Sequence, residues 1–334
     1  MKKLIILGNR TEWCEKSLVK LRAHEGVYFS NNYLPVNEKI GKTLGKLHFS
    51  YTTNKYFKLP FKWLWYNSFI DNLGIKNDYT NEICVLVFDH NALGDECGFM
   101  KFVRKRYHNV KFVYIFTNIV RFTSATERGY VDKLNDWYDV VFAFDPADAE
   151  KYNFEYSPLI YDADFSGEEE RSDNLNGSVF YLGQAKDRLE GLLSVYEKLK
   201  EYGIECDFHI ANVPESQIKY ENDIVYNQYM TYSEAVKRIK NSSCLIDVIQ
   251  GDSQGLTIKT CEAVCYDKKL ITTNRHVKEY PFYDSRYIRV IETADDIDKE
   301  FFQNNIDVTY STEGKKYFSA AVFWERLWNA LECE

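Results

Sequence analysis

The chain has 334 residues, of which 45% are hydrophobic, 16% aromatic and 28% charged, which is the composition of a folded protein and enough length for two domains. The net charge of −8 argues against a nucleic-acid-binding protein, because phosphate contacts need a basic surface. The eight cysteines include no CxxC pair, so we expect neither a disulfide framework nor a zinc site.

No segment predicts a membrane span or a secretion signal. No apolar run approaches about 18 residues, the length that a bilayer-spanning helix needs. The apolar start of the chain stops at Gly8 and Asn9, which is too short for a signal-peptide core. We therefore expect a soluble, cytoplasmic protein.

Strand and helix patterns alternate along the first 150 residues. Continuous apolar runs such as ICVLVFD and VKFVYIF predict buried strands, and helical periodicity recurs between them. Strands are predicted at 4–7, 83–89, 110–116 and 139–145, with helices at 12–23, at 98–107 and from Pro146. Continuous apolar strands joined by helices predict a parallel sheet that is covered on both faces.

An acidic, polar stretch at 162–177 lacks periodicity and predicts a linker between domains. The alternation then resumes. Strands are predicted at 178–183, 206–211, 224–229, 243–249, 269–273 and 287–291, with helices at 187–202, after Thr231, at 257–266 and at 317–331. The sequence thus predicts an α/β protein with two Rossmann-like domains, 1–161 and 178–316, that face a cleft.

Two loops of the second domain combine the residue types that bind phosphate. In open α/β sheets, ligands bind where strands end and helix N-termini offer unpaired N–H groups. The segment GQAKDR combines Gly183 with the positive charges of Lys186 and Arg188. The segment QGDSQGLT adds two glycines and the hydroxyls of Ser253 and Thr257. Each segment also fits a plainer description, a solvated loop that caps a helix.

The order of these segments resembles the donor-binding half of GT-B fold glycosyltransferases, particularly bacterial enzymes of capsule and lipopolysaccharide assembly. The resemblance covers roughly residues 178–290. It rests on YLGQAKDR, TYSEAVKRIKNSSCLIDVIQGDSQGLTIKTCEAV and KKLITTN, which agree with the family in order and spacing. The resemblance also implies that the final helix crosses back to the N-terminal domain.

For the donor, the resemblance implies separate contacts to diphosphate, ribose and nucleobase. Glu262 would bind the ribose, and Tyr229 would face the nucleobase. Seven positions separate Gly255 from Glu262, which is longer than in the commonest form of the motif. The loops that would contact the diphosphate contain Gly183, Lys186, Arg188, Ser253, Gly255, Leu256 and Thr257.

The first domain is expected to hold the acceptor and any catalytic base. Asp89 and His90 follow a buried strand, where either side chain could take a proton from an acceptor hydroxyl. Asn118 follows the next strand and Arg10 the first one, both on the acceptor side. A strand-end aspartate is often only a helix cap. An inverting mechanism needs a base, whereas a retaining one can depend on stabilisation of the leaving diphosphate, and the sequence leaves both open.

A stretch at 39–66 is basic and aromatic within an acidic protein. It contains six lysines and no acid, interleaved with phenylalanine, tyrosine and tryptophan. Such a surface suits anionic lipid, where each lysine contributes about 1 kcal/mol. It also fits an aromatic core under a lysine-rich face. We keep both interpretations, with peripheral contact to the inner face of the cell membrane as the functional one.

The sequence therefore predicts a glycosyltransferase that moves a sugar from a nucleotide-diphosphate donor to a hydroxyl of a surface-polysaccharide precursor, a glycan or lipid-linked glycan. No cofactor or metal is expected, because the pair Asp162 and Asp164 opens the linker rather than following a sheet strand. One alternative is a nucleotide-sugar epimerase of the same fold. Another is a catalytically silent subunit that binds a glycan or a partner.

Overall fold

The computed structural model describes residues 1–7, 18–30, 39–50, 53, 56–57, 59–89, 96–163, 177–303 and 306–333, without the side chains of 39–42, 46, 96 and 97. The chain divides into two compact units. The first lies within Met1–Glu15, Lys20–Ser157 and Trp324–Glu334, and the second within Lys16–Val19 and Pro158–Phe323.

A parallel sheet forms the centre of the first unit. Its strands are β1 (Lys2–Leu7), β2 (Val27–Ser30), β3 (Glu82–Phe88), β4 (Val110–Ile115), β5 (Val140–Ala143) and β6 (Glu155–Tyr156). They lie in the order β2-β1-β3-β4-β5-β6, and all neighbours are parallel. In β3 every residue after Glu82 is buried, as expected of a strand that is covered on both faces.

The helices of the first unit pack on this sheet through an aromatic core. The ring of Phe99 lies between those of Phe69 and Phe112, with centroids 5.4 and 6.1 Å away. The side chain of Asp145 caps the helix that begins at Pro146. The described helices are α1 (Val19–Ala23), α2 (Lys39–Phe49), α3 (Tyr66–Leu73), α4 (Glu96–Arg104), α5 (Ser124–Glu127), α6 (Leu134–Trp137) and α7 (Pro146–Tyr152).

A second parallel sheet forms the centre of the second unit. Its strands are β7 (Val179–Gln184), β8 (Cys206–Ala211), β9 (Ile224–Tyr226), β10 (Cys244–Asp247), β11 (Lys269–Thr272) and β12 (Ile288–Val290). They lie in the order β9-β8-β7-β10-β11-β12, and all neighbours are parallel. The chain builds outward from β7 to β9, then returns to build β10 to β12 on the other side. This is the strand order of dinucleotide-binding Rossmann domains.

Helices join the strands of the second unit as the apolar periodicity predicts. The helix α8 (Leu189–Glu201) buries Leu192, Tyr196 and Leu199 on one face and ends before Gly203, whose φ of +73° suits glycine. The side chain of Thr231 caps the next helix. The remaining described helices are α9 (Tyr232–Asn241), α10 (Ile258–Cys265), α11 (Glu300–Gln303), α12 (Thr312–Lys316) and α13 (Ala320–Glu332).

The last helix, α13, returns to the first unit, as the resemblance implies. The ring of Trp324 lies 4.3 Å from that of His24, and Lys2 contacts Glu332 at 2.6 Å. The helix begins at Ala320 and not at 317, which corrects the prediction. The hydroxyl of Ser319 accepts a hydrogen bond from the Val322 N–H, as an N-cap does, and separates α13 from α12.

The predicted α/β class is confirmed, with one parallel sheet in each half. Two short strands, β2 and β6, have no counterpart in the sequence prediction. β2 has four residues that are at most partly buried, and β6 has two residues. Neither therefore contains the long apolar run that predicts the other strands. Within the described ranges, no helix combines the length and apolarity that crossing a bilayer requires.

Candidate functional site

The strand order of the second sheet reverses between β7 and β10. Ligands of open α/β sheets bind at such a switch point, outside the carboxyl ends of the two strands. The loop after β7 contains Lys186 and Arg188, and the loop after β10 contains residues 248–257. The sequence-predicted phosphate loops therefore meet at the place where the topology favours a ligand.

Lys186, in the loop after β7, reaches the loop after β10 with its side chain. Its backbone is left-handed, with a φ of +48°, and its Nζ lies 2.5 Å from Oε1 of Gln250. The side chain is exposed, but nearby protein removes part of its water. This partial burial, together with the positive charge of Arg188, lowers the pKa of the Lys186 ammonium. An anion placed here would relieve both effects.

Arg188 connects the ends of β7 and β10 by hydrogen bonds to their backbone carbonyls. Its Nη1 donates to the Val248 carbonyl and its Nη2 to the Gln184 carbonyl, each at 2.7 Å. Its buried Nε has no hydrogen-bond partner among the described residues. The guanidinium thus contributes positive charge from the wall of the site, with two of its five N–H groups used by the protein.

Polar groups that follow β11 hold the loop after β10 by hydrogen bonds. Asn274, which is fully buried, donates from Nδ2 to the carbonyls of Gly255 at 3.0 Å and Gln254 at 3.4 Å. The Ile249 N–H donates to the hydroxyl of Thr273 at 2.9 Å. Sequence reasoning missed Asn274, although a polar residue directly after a predicted strand was the available signal.

The loop ends at the N-terminus of α10. Thr257 caps this helix, accepting from the N–H groups of Lys259 at 3.1 Å and Thr260 at 3.4 Å. Leu256 is fully buried and anchors the turn, while the Ser253 side chain is mostly buried. A helix N-terminus carries a partial positive charge, so the loop directs this charge toward the switch point.

A buried carboxylate, Asp247, lies at the end of β10. It accepts hydrogen bonds at 3.2 Å from the hydroxyls of Thr260 and Thr272, which joins α10 to β11. Burial raises the pKa of Asp247, although hydrogen bonds from threonine hydroxyls and the charge of Arg188 act in the opposite direction. The sequence analysis did not single out this residue. It holds the helix start and the neighbouring strand end in register.

Glu262 lies on α10 and is fully buried. Its Oε2 accepts from the Lys259 Nζ at 2.7 Å, and its Oε1 accepts from the Tyr232 hydroxyl at 3.1 Å. The hydroxyl of Tyr161 lies 2.8 Å from that of Tyr232 and extends the chain of hydrogen bonds. Burial raises the pKa of both tyrosines, so both stay protonated. Each oxygen of the Glu262 carboxylate therefore already accepts one hydrogen bond from the protein.

Tyr229 lies outside the strand in which the sequence analysis placed it. The strand β9 ends at Tyr226, because Asn227 adopts a φ of +54° and its side chain bonds both the N–H and the carbonyl of Val213. Tyr229 is 85% exposed in the segment that follows. Its ring therefore has a large free face, but no strand end fixes its position.

In the first unit, Asp89 is the described member of the predicted catalytic pair. It is buried, and its carboxylate accepts from the Thr117 hydroxyl at 2.9 Å and the Thr117 N–H at 3.4 Å. Its carbonyl accepts from the Ser124 hydroxyl at 3.1 Å. Asn118 lies beside Thr117 and accepts from the Ile119 N–H at 3.0 Å. His90 and Arg10 lie outside the described residues.

The acidic pair at the start of the predicted linker is only partly described. The Asp162 carboxylate accepts from the Ala320 N–H at 3.3 Å, so it holds the start of the last helix, and Asp164 lies outside the described residues. In the part of the chain that the structure describes, no group of three or more His, Cys, Asp or Glu side chains is arranged to hold a metal ion.

Solved structures resemble this chain across almost its whole length. An alpha-glucosyltransferase, solved in complex with UDP-glucose and DNA containing an abasic site, is 11% identical with a TM-score of 0.56, over 99% of both chains. A glycosyltransferase from Rickettsia africae ESF-5 is 14% identical with a TM-score of 0.54, over 99% of this chain and 98% of that chain. At such low identity, the likeness establishes the GT-B fold alone.

A UDP-N-acetylglucosamine 2-epimerase from Rickettsia bellii also superimposes on the chain. It is 13% identical with a TM-score of 0.46, over 100% of this chain and 96% of that chain. No protein-family model matches the chain, and no curated protein matches it.

Proposed function

We propose that this GT-B protein is a glycosyltransferase that moves a sugar from a nucleotide-diphosphate donor to a hydroxyl of a surface-polysaccharide precursor. One observation carries the proposal: at the switch point of the second sheet, Lys186 lies 2.5 Å from Gln250, at the start of the loop that leads to the N-terminus of α10. Positive charge and the N-terminal dipole of α10 therefore converge where a diphosphate would be held.

The proposed chemistry needs the diphosphate to leave with its negative charge stabilised. Lys186, the wall charge of Arg188 and the N-terminal dipole of α10 are fixed before the reaction. Fixed charges stabilise a leaving group more than mobile water does, because they need no reorganisation. We propose that these groups replace a metal ion in this role.

Asp89 is the proposed base for an inverting reaction. Its carboxylate accepts hydrogen bonds from the hydroxyl and the N–H of Thr117, which hold it at the strand end. It is buried at the end of β3, next to the switch point of the first sheet, which lies between β1 and β3. A retaining reaction would proceed without it.

A thermal-shift screen tests the donor site. We expect one of UDP, GDP, CDP, ADP and dTDP to raise the melting temperature without added metal, because a ligand that binds only the folded state stabilises it. The Lys186→Ala variant should lose this response. Lys237→Ala, which removes an exposed lysine of the same unit, is the matched control. Failure of all five diphosphates, with and without Mg²⁺, would contradict a donor site and favour the silent subunit.

We further propose that part of the first unit contacts an anionic membrane, which would bring a lipid-linked acceptor within reach. Each of the two interpretations of residues 39–66 fits a different part of the segment. Tyr66, and after it Phe69 and Ile70, are core residues. Seven large apolar side chains before them are more than half exposed: Leu44, Leu47, Tyr56, Phe57, Phe61, Trp63 and Leu64. Exposed apolar groups in a segment whose sequence contains six lysines and no acid match a lipid surface.

Vesicle co-sedimentation tests the membrane proposal. We expect binding to vesicles rich in phosphatidylglycerol, little binding to pure phosphatidylcholine, and loss of binding at high salt. The triple variant Phe57→Ser, Trp63→Ser, Leu64→Ser should lose binding at low salt as well. The control is Tyr28→Ser, Tyr79→Ser, Phe122→Ser, which changes three exposed aromatic residues elsewhere in the unit. Equal binding by the two triple variants would overturn the proposal.

A further inference from the structure

A cavity lies on the same edge of the second sheet, beside the loop that follows β10. Its volume is about 640 Å³, within the range of small-molecule sites, and it opens at the carboxyl ends of β11 and β12. Its wall includes Thr273, Arg275, Lys278, Arg289, Glu292 and Asp296. Thr273 also supports the phosphate loop through Ile249, whereas the charged residues of the wall lie outside the proposed diphosphate site.

Three positive side chains line this cavity. Arg275 and Lys278 are exposed, and among the described residues neither has a hydrogen-bond or ion-pair partner. Arg289 pairs with Asp298 at 2.8 Å, and its buried Nε has no hydrogen-bond partner within the described part of the chain. In a protein with a net charge of −8, three cations around one cavity, two of them without an ion-pair partner among the described residues, favour an anionic ligand.

The two acidic side chains of the cavity differ in the hydrogen bonds that they already accept. The Asp296 carboxylate accepts from the N–H groups of Glu292 at 2.8 Å and Thr293 at 2.9 Å. These backbone hydrogen bonds lower the pKa of Asp296 and fix it in place. The Glu292 carboxylate is exposed, and no described residue donates to it. It is therefore free to accept hydrogen bonds from hydroxyl groups of a ligand.

Residues 273–275 join this cavity to the phosphate loop. Asn274 holds the Gly255 carbonyl on one side, and its chain neighbours Thr273 and Arg275 line the cavity on the other. The hydroxyl of Thr273 accepts from the Ile249 N–H, which leaves its own hydrogen available as a donor. The two sites are thus adjacent, and Thr273 contacts both.

We propose that this cavity binds a phosphorylated sugar. Arg275, Lys278 and Arg289 would hold the phosphate, since guanidinium and ammonium groups match its charge and its acceptors. Glu292 and Thr273 would bind the sugar hydroxyls. The volume is far larger than a phosphate ion needs, and a carboxylate in the wall disfavours a ligand that is anionic throughout. The site does not depend on the proposed transferase activity.

Calorimetric titration of the full chain tests the proposal with glucose 1-phosphate, glucose 6-phosphate, glucose and inorganic phosphate. We expect one sugar phosphate to bind at least about tenfold more tightly than inorganic phosphate or glucose. The double variant Arg275→Ala, Lys278→Ala should weaken it by at least about tenfold. The double variant Lys237→Ala, Arg286→Ala removes two exposed positive charges elsewhere in the unit and should bind like the unchanged protein.

Lys186→Ala distinguishes this site from the diphosphate site. We expect it to leave sugar-phosphate binding unchanged while it abolishes the nucleotide response, so that each site can fail without the other. Sugar-phosphate binding that Lys186→Ala abolishes would overturn the proposal, because the ligand would then occupy the diphosphate loops. Equal affinity for inorganic phosphate and for both sugar phosphates would also overturn it. So would unchanged binding in Arg275→Ala, Lys278→Ala.

Discussion

The carboxyl edges of the two sheets differ in electrical character. In the second unit, Lys186 and the N-terminus of α10 present positive charge, and Arg188 supports them from the wall. In the first unit, the buried Asp89 presents a carboxylate that Thr117 holds with two hydrogen bonds. Both groups lie beside a topological switch point. The topology selects the place, while strand-end residues set its electrical character, positive at one edge and a buried carboxylate at the other.

The largest expected effect comes from Asp89→Asn at the acidic edge. If this carboxylate takes the acceptor proton, turnover should fall by about 10²–10⁴-fold, the usual contribution of a general base, while nucleotide affinity stays within about twofold. Steady-state kinetics and calorimetry measure the two quantities. Thr117→Val is the matched control, because it removes the hydroxyl that donates to Asp89 and leaves the carboxylate. Equal losses in both variants would assign Asp89 a purely structural role.

The next effect tests the support of the basic edge. Asn274→Ala removes the hydrogen bonds to Gly255 and Gln254 and leaves buried carbonyl groups with fewer donors. A lost buried hydrogen bond costs about 1–3 kcal/mol. If the loop needs this support to keep its binding shape, the same cost appears in binding, and nucleoside-diphosphate affinity should fall by about tenfold to a hundredfold. Titration with the diphosphate identified by the thermal-shift screen measures this.

Asn135→Ala provides the comparison for Asn274→Ala. Asn135 donates to the carbonyls of Tyr152 and Asn153 in the first unit, where it is exposed. It should leave nucleotide affinity unchanged. A result in which Asn274→Ala also leaves affinity unchanged would mean that the loop holds its shape without the asparagine, and the basic edge would then depend on Lys186 and the helix dipole alone.

Most strands of the two sheets are predictable from local sequence pattern. Runs such as VKFVYIF and SCLIDVI are long and apolar, and they are strands because both faces of a parallel sheet are covered. Lys186 and Thr257 then follow from their positions after such runs. The strands β2 and β6 escaped prediction because one is half-buried and the other has two residues.

The supports of the basic edge escaped prediction for a different reason. Asp247, Asn274 and the chain from Tyr161 through Tyr232 to Glu262 join segments that are far apart in sequence. No local pattern encodes such a pairing, since it arises only when the helices pack. The orientation of Arg188, which donates to two backbone carbonyls, also depends on this packing. Sequence indicates which residues could serve, and packing decides which ones are already engaged.

A pH titration sharpens the description of the basic edge. The pKa of Lys186 is lowered by partial burial and by Arg188, so its ammonium loses charge at a lower pH than an ordinary lysine. In the proposed site the charged form would bind the diphosphate, and this form exists below the pKa. Affinity should therefore decline as pH rises through the lowered pKa, by up to about tenfold. Lys186→Arg should remove the decline, because arginine stays protonated. The same decline in both proteins would exclude Lys186 as its source.

The smallest effect concerns the hydrogen-bond chain behind Glu262. Tyr232→Phe removes the hydroxyl that donates to Glu262 at 3.1 Å and that meets Tyr161 at 2.8 Å. If this chain positions Glu262 for a ribose, affinity for the nucleoside diphosphate should fall by about threefold to tenfold, which corresponds to one buried hydrogen bond. Affinity for inorganic pyrophosphate should stay unchanged, because pyrophosphate has no ribose. Tyr196→Phe, which removes a hydroxyl bonded to Asp223 in the same unit, is the control. Equal weakening of both ligands would show that Tyr232 supports the whole edge rather than the ribose contact.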